Sequence, residues 1–156
     1  MAAGSFHTGT LKKTITVNAT QQGAWRRISD ITGLSAWAVG IKNTACFTKK
    51  KRGIGAIRLI TFDDKSRVEE HVVAWEPGKQ FTYVATNGLP LRAYVATISL
   101  KPKNDKSVQI TWQSYLNSKR MTSRQFSELL VQMGTFYMAS LENLKKLLEG
   151  RRNVIG

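Results

Sequence analysis

Residues 67–83 read RVEEHVVAWEPGKQFTY, and the alternation within them decides the fold. Arg67 to Trp75 is rich in β-branched residues, which fit a pleated, half-buried strand. Glu76-Pro77-Gly78-Lys79 interrupts it. Proline presets φ at the second position of a type II turn and glycine supplies positive φ at the third. Phe81 to Thr86 then resumes the strand pattern. Two strands around a tight turn make a hairpin, so the sheet is antiparallel.

The same signal extends both ways. Upstream lie a short strand around Phe47, a β-branched run from Ile54 to Phe62 and a polar turn, Asp63-Asp64-Lys65-Ser66. Downstream, Leu91 to Leu100 and Ser107 to Leu116 are separated by polar connections containing Asn87-Gly88-Leu89-Pro90 and 101–106. Residues 11–18, LKKTITVN, predict a first strand. Thr20 is placed to cap a short helix carrying Ala24, Trp25 and Ile28. Thr32-Gly33 breaks that helix, and 34–41, LSAWAVGI, predicts a second helical turn anchored by Trp37 and ending near Gly40.

From Phe126 the period changes. Phe126, Leu129, Leu130, Met133, Tyr137, Leu141, Leu144 and Leu148 recur at spacings of three and four. Thr122 and Gln125 fit a capping box, and Gly150 fits a helix stop. A helix from Ser123 to Glu149 would be roughly 40 Å long. The expected class is α+β: a curved antiparallel sheet of about seven strands wrapped around one long C-terminal helix. A single domain is expected over 11–150, with 1–10 and 151–156 as flexible termini.

Composition narrows the function classes. The chain has 156 residues, 42% hydrophobic and 22% charged, within the ordinary globular range. One cysteine, Cys46, excludes an internal disulfide, and with only His7 and His71 no metal-ligand spacing exists, so neither metal nor cofactor is expected. No apolar run suits a signal peptide or a transmembrane helix, which makes the cytoplasm the expected location. The net charge of +14 favours contact with nucleic acid or an anionic membrane surface. The basic residues are nonetheless spread over turns and helix ends, as a solvated surface would have them. Gly53-Ile54-Gly55 lacks the third glycine of a dinucleotide loop and leads into a strand rather than a helix.

Strand alternation places Ala56, Arg58, Ile60 and Phe62 on one face, and Val68, Glu70, Val72 and Ala74 on one face of the next strand. With that face inward, Glu70 is an acid among apolar residues and Arg58 is its natural partner. Three roles are open to the pair: an ion pair that orders the sheet, a polar hook for a ligand, or an acid/base at Glu70. His71 points to the opposite face, which disfavours a dyad with Glu70. Tyr83, Trp112, Tyr137, Trp37 and Met133 suit either core or pocket wall.

The element order, GIGAIR at 53–58, RVEEHVVAWEPGKQFTY at 67–83, Trp112 late in the last strand and the helix ending LENLKKLLEG together resemble the START-like (SRPBCC) helix-grip superfamily. The similarity is to its polyketide cyclase/dehydrase and lipid transport branch. The resemblance implies a hydrophobic cavity between sheet and helix, with Arg58 and Glu70 at polar positions and Tyr83 and Trp112 at aromatic ones. It implies binding or carriage of a hydrophobic small molecule or lipid. The expected lining is Trp37, Ile60, Val72, Tyr83, Trp112, Met133 and Tyr137, with Arg58 and Glu70 as polar contacts. A cyclase or dehydratase using Glu70 is the second expectation, and a basic nucleic-acid or anionic-membrane surface binder the third.

Overall fold

The computed structural model describes residues 5–155, with side chains described through Gly150. Period-two segments become strands β1 (Thr8–Val17), β2 (Ile41–Cys46), β3 (Ile57–Phe62), β4 (Arg67–Glu76), β5 (Gln80–Asn87), β6 (Leu91–Asn104) and β7 (Ser107–Ser118). All pair antiparallel in one sheet of order β1-β7-β6-β5-β4-β3-β2. Helix α1 (Gln21–Ile28) and a 3-10 turn (Ile31–Ala36) fill the crossover between β1 and β2, and helix α2 (Ser123–Ile155) follows β7. This is the helix-grip arrangement. Among the described residues no helix is long and apolar enough to cross a membrane.

Local chemistry explains the joints. The Gly23 amide donates to Thr20 Oγ1 at 2.9 Å, capping α1. Thr122 and Gln125 form a reciprocal capping box. The Gln125 amide donates to Thr122 Oγ1 at 3.1 Å, and the Thr122 amide donates to Gln125 Oε1 at 2.8 Å. Gly78 takes φ of 79° in the β4–β5 turn, and the Lys79 amide returns to the Glu76 carbonyl at 3.0 Å. The inner face of the sheet buries Ile60, Phe81, Ile98, Ile110 and Leu116 against Tyr137, Leu141 and Leu144 of α2.

Several expectations need correction. The first strand begins at Thr8, and Ser5 bridges to Met121, so 5–10 are tied into the structure. The second helical turn is a 3-10 element over Ile31–Ala36. Thr32-Gly33 lies inside it because the tight i to i+3 pattern needs only Asp30 as an acceptor for the Gly33 amide. The short strand ends at Cys46, although the Phe47 amide still reaches the Ile57 carbonyl at 2.9 Å. Ile54 belongs to the loop before β3. Ala74 is exposed, because the β4–β5 register shifts between Val72 and Ala74. That bulge turns Trp75 inward onto Trp25 and Phe81. Gly150 does not stop α2, which runs to Ile155.

Candidate functional site

A cavity of about 220 Å³ lies between the sheet and the first half of α2. Arg58, Ile60 and Phe62 of β3 and Val68 and Glu70 of β4 form one wall. Tyr83, Leu91, Tyr94 and Trp112 form the floor, and Leu129, Gln132, Met133, Phe136 and Tyr137 of α2 close the other side. Leu34, Ile41, Leu89 and Pro90 complete it. Pro90 and Gln132 are solvent-exposed, so the cavity meets the surface between the β5–β6 turn and α2.

The polar centre follows from strand register. Arg58 of β3 pairs directly with Glu70 of β4, with both side chains on the inner face. They are 3% and 6% exposed, so each charge needs the other. Arg58 Nε donates to Glu70 Oε1 at 2.8 Å, and Nη1 donates to the Ile31 carbonyl at 3.0 Å. The second bond ties the 3-10 turn to the sheet. Nη2 lies 2.8 Å from the same Oε1, but this is an ion-pair contact without hydrogen-bond geometry. Among the described residues no hydrogen bond reaches Oε2. Nη2 is itself enclosed, so the group left open to a guest is Oε2 of Glu70, a residue of the cavity lining. Burial raises the Glu70 pKa above the usual carboxyl value, and the charge and hydrogen bond of Arg58 pull it part of the way back.

Next to the pair lies a chain of phenols. Arg58 sits 4.9 Å from the centroid of the Tyr83 ring. Trp112 Nε1 donates to Tyr83 Oη at 3.0 Å, Tyr83 Oη approaches Tyr94 Oη at 3.5 Å, and Tyr94 Oη bonds to Tyr137 Oη. Trp112 and Tyr137 stack with centroids 4.0 Å apart and planes within 6°. Burial pushes all three tyrosines upward, so they remain neutral hydrogen-bonding groups at ordinary pH. No histidine, cysteine or serine lines the cavity among the described residues. Nor do these contain a cluster of three His, Cys, Asp or Glu side chains that could hold a metal ion.

Of the residues singled out from sequence, Arg58, Glu70, Tyr83, Trp112, Tyr137, Met133 and Ile60 line the cavity. Trp37 and Val72 do not. The Trp37 ring packs edge-on against Trp112 at 5.7 Å, behind the wall. Val72, beside the bulge, has its backbone bonded to Gly55 and Ala56 and its side chain in the core. His71 faces outward and pairs with Glu69 at 2.8 Å. Sequence reasoning passed over Tyr94 and Phe136. Tyr94 shares the inward face with Ala96, Ile98 and Leu100, and Phe136 lies three residues after Met133, so both had a periodic signal. Nothing in the pattern marked Gln132 or Pro90.

Solved structures with this fold span nearly the whole chain. The ZhuI aromatase/cyclase from Streptomyces sp. R1128 superimposes with a TM-score of 0.79 at 13% identity, covering 96% of this chain and 99% of its own. XoxI from Bacillus cereus gives 0.78 at 16%, covering 90% and 95%. A protein from Nitrosospira multiformis gives 0.75 at 19%, covering 92% and 99%. Identities this low establish shared architecture alone. No curated protein matches the sequence. The family described as polyketide cyclase/dehydrase and lipid transport matches residues 8–149, the whole sheet and most of α2. The chain therefore belongs to the polyketide cyclase/dehydrase and lipid transport family of the START-like (SRPBCC) superfamily.

Proposed function

We propose that this protein binds a small, largely apolar molecule carrying a hydroxyl group, with the cytoplasm as the expected setting. The observation that carries the reading is the Arg58–Glu70 pair in the wall of an apolar cavity, with Glu70 Oε2 accepting no hydrogen bond among the described residues. A guest hydroxyl can donate to Oε2 of Glu70, whose charge Arg58 balances. The volume of about 220 Å³ limits the guest. A cavity of about 150 Å³ accommodates benzene and drug-sized ligands need about 300 Å³ or more, so one or two fused rings suit the space. The stacked Trp112–Tyr137 pair and the ring of Phe136 favour a flat, aromatic body.

Native mass spectrometry of the purified protein, with melting curves across a panel of phenols, naphthols and fatty acids, tests the reading. A retained guest or a rise in melting temperature with the ring compounds is expected. No guest and no shift across the panel would overturn it.

A second reading has one specific observation behind it. Burial raises the Glu70 pKa and so favours the protonated carboxyl, the form that a general acid in a cyclase or dehydratase step requires. Under that reading Glu70→Gln abolishes turnover while leaving the melting temperature near that of the parent, and turnover retained in the variant rejects it.

A further inference from the structure

The run Thr48–Gly55 has no part in the cavity. Lys49, Lys50, Lys51 and Arg52 are exposed, and the apolar residues flanking them, Phe47 and Ile54, are 57% and 58% exposed. The loop is nonetheless built. Thr48 Oγ1 donates to the Lys50 carbonyl at 2.6 Å and accepts from the Ile57 amide at 3.2 Å. Arg52 Nη1 donates to the buried Ser29 Oγ at 2.9 Å, fastening the loop to the C-terminal end of α1. The last turn of α1 carries Arg26 and Arg27, which extends the positive surface. Gly53 and Gly55, at φ of 87° and 92°, turn the chain so that Ile54 projects between them. Val73, 45% exposed, follows Val72, whose backbone bonds to Gly55 and Ala56, and so adds apolar area beside Ile54.

Exposed apolar side chains on both flanks of a lysine run match an anionic bilayer surface. The apolar groups enter the headgroup–acyl boundary while the ammonium groups meet lipid phosphates and carboxylates. A nucleic acid would use the same charges but has no place for an exposed Ile54, and no helix is presented to a groove. We propose that residues 47–54 are an attachment loop for anionic phospholipid membranes, held by Phe47 and Ile54 as inserted anchors and by Lys49–Lys51 as headgroup contacts. The loop precedes β3, whereas the mouth of the cavity lies past the other end of that strand, where Gly88 meets the Arg67 backbone. Attachment through the loop leaves the mouth facing away from the bilayer.

Sedimentation of the full-length protein with vesicles tests this, comparing phosphatidylcholine alone with a mixture containing about 30% phosphatidylserine at moderate salt. Binding to the mixture and not to phosphatidylcholine is expected. The triple variant Lys49→Gln, Lys50→Gln, Lys51→Gln should reduce the partition coefficient on the order of 100-fold. The pair Phe47→Ser, Ile54→Ser should reduce it at least about tenfold, while leaving any retention on a DNA column unchanged. Melting curves of both variants should match the parent, since the altered side chains are exposed. Absence of phosphatidylserine-dependent binding at low salt, vesicle binding indifferent to both variants, or charge-dependent DNA binding without vesicle binding would each overturn the proposal.

Discussion

Replacing Arg58 with methionine removes the partner of a carboxylate that is 6% exposed. Methionine fills similar space, so the loss is electrostatic rather than a large void. Glu70 Oε1 loses its Nε hydrogen bond and Nη2 contact, and the Ile31 carbonyl loses its Nη1 donor. Breaking one side of a buried pair costs about 3–5 kcal/mol. For a chain of this size that corresponds to a fall in melting temperature of roughly 6–20 °C. The double change Arg58→Met, Glu70→Leu leaves neither charge buried and should lie within about 1 kcal/mol of the parent, or above it. The pH dependence has a definite sign. The folded-state pKa of Glu70 lies above its ordinary value of 4.5, so its proton-linked stability is present below that value. It is lost as pH rises through the raised pKa. Removing Arg58 takes away the two influences that lower it, so the single variant should suffer little near pH 4.5 and most near pH 8. Urea unfolding at both pH values, with the double variant alongside, makes the measurement. A single variant within about 1 kcal/mol of the parent at both pH values would refute the assignment of a buried, mutually dependent pair.

Other substitutions test other joints. Gly88→Ala places a Cβ 1.9 Å from the Arg67 carbonyl oxygen at φ of 103°. It should cost at least about 1–3 kcal/mol by denaturant titration and displace the β5–β6 turn at the cavity mouth. Thr122→Ala removes one half of the capping box and should cost about 1 kcal/mol, visible as fraying at the start of α2 in hydrogen exchange. Met133→Trp should fill the cavity, costing up to about 1–3 kcal/mol from overpacking. The same variant should show no thermal response to the ring compounds that stabilise the parent.

Much of the fold was legible because each layer has its own period. The alternation of 67–83 and the capping box at Thr122 and Gln125 both state their conformation locally. Arg58 and Glu70 could be paired because two regular strands joined by a short turn fix which residues face inward. What was hidden has physical causes too. A bulge at Val72 and Ala74 reverses the alternation and has no marker in residue type, so alternation alone places Ala74 inside. Gly150 lies within α2 because glycine permits a helix end without enforcing one. Trp37 and Trp112 have the same apolar character, yet one backs the wall and the other lines it. That distinction depends on the separation of sheet and helix, which periodicity does not encode.

The central claim is that the Arg58–Glu70 pair recognises a hydroxyl on an apolar guest. The most direct measurement is the ratio of dissociation constants for 2-naphthol and its isostere 2-methylnaphthalene, in the parent and in the Arg58→Met, Glu70→Leu double variant. Hydrogen bonds to charged groups are worth about 1.5–3 kcal/mol, so the parent should prefer the naphthol by on the order of tenfold or more. The double variant should bind the methyl compound as well as the parent does and lose the preference. Equal affinity for the two compounds in the parent, or a preference that survives in the double variant, would contradict the account.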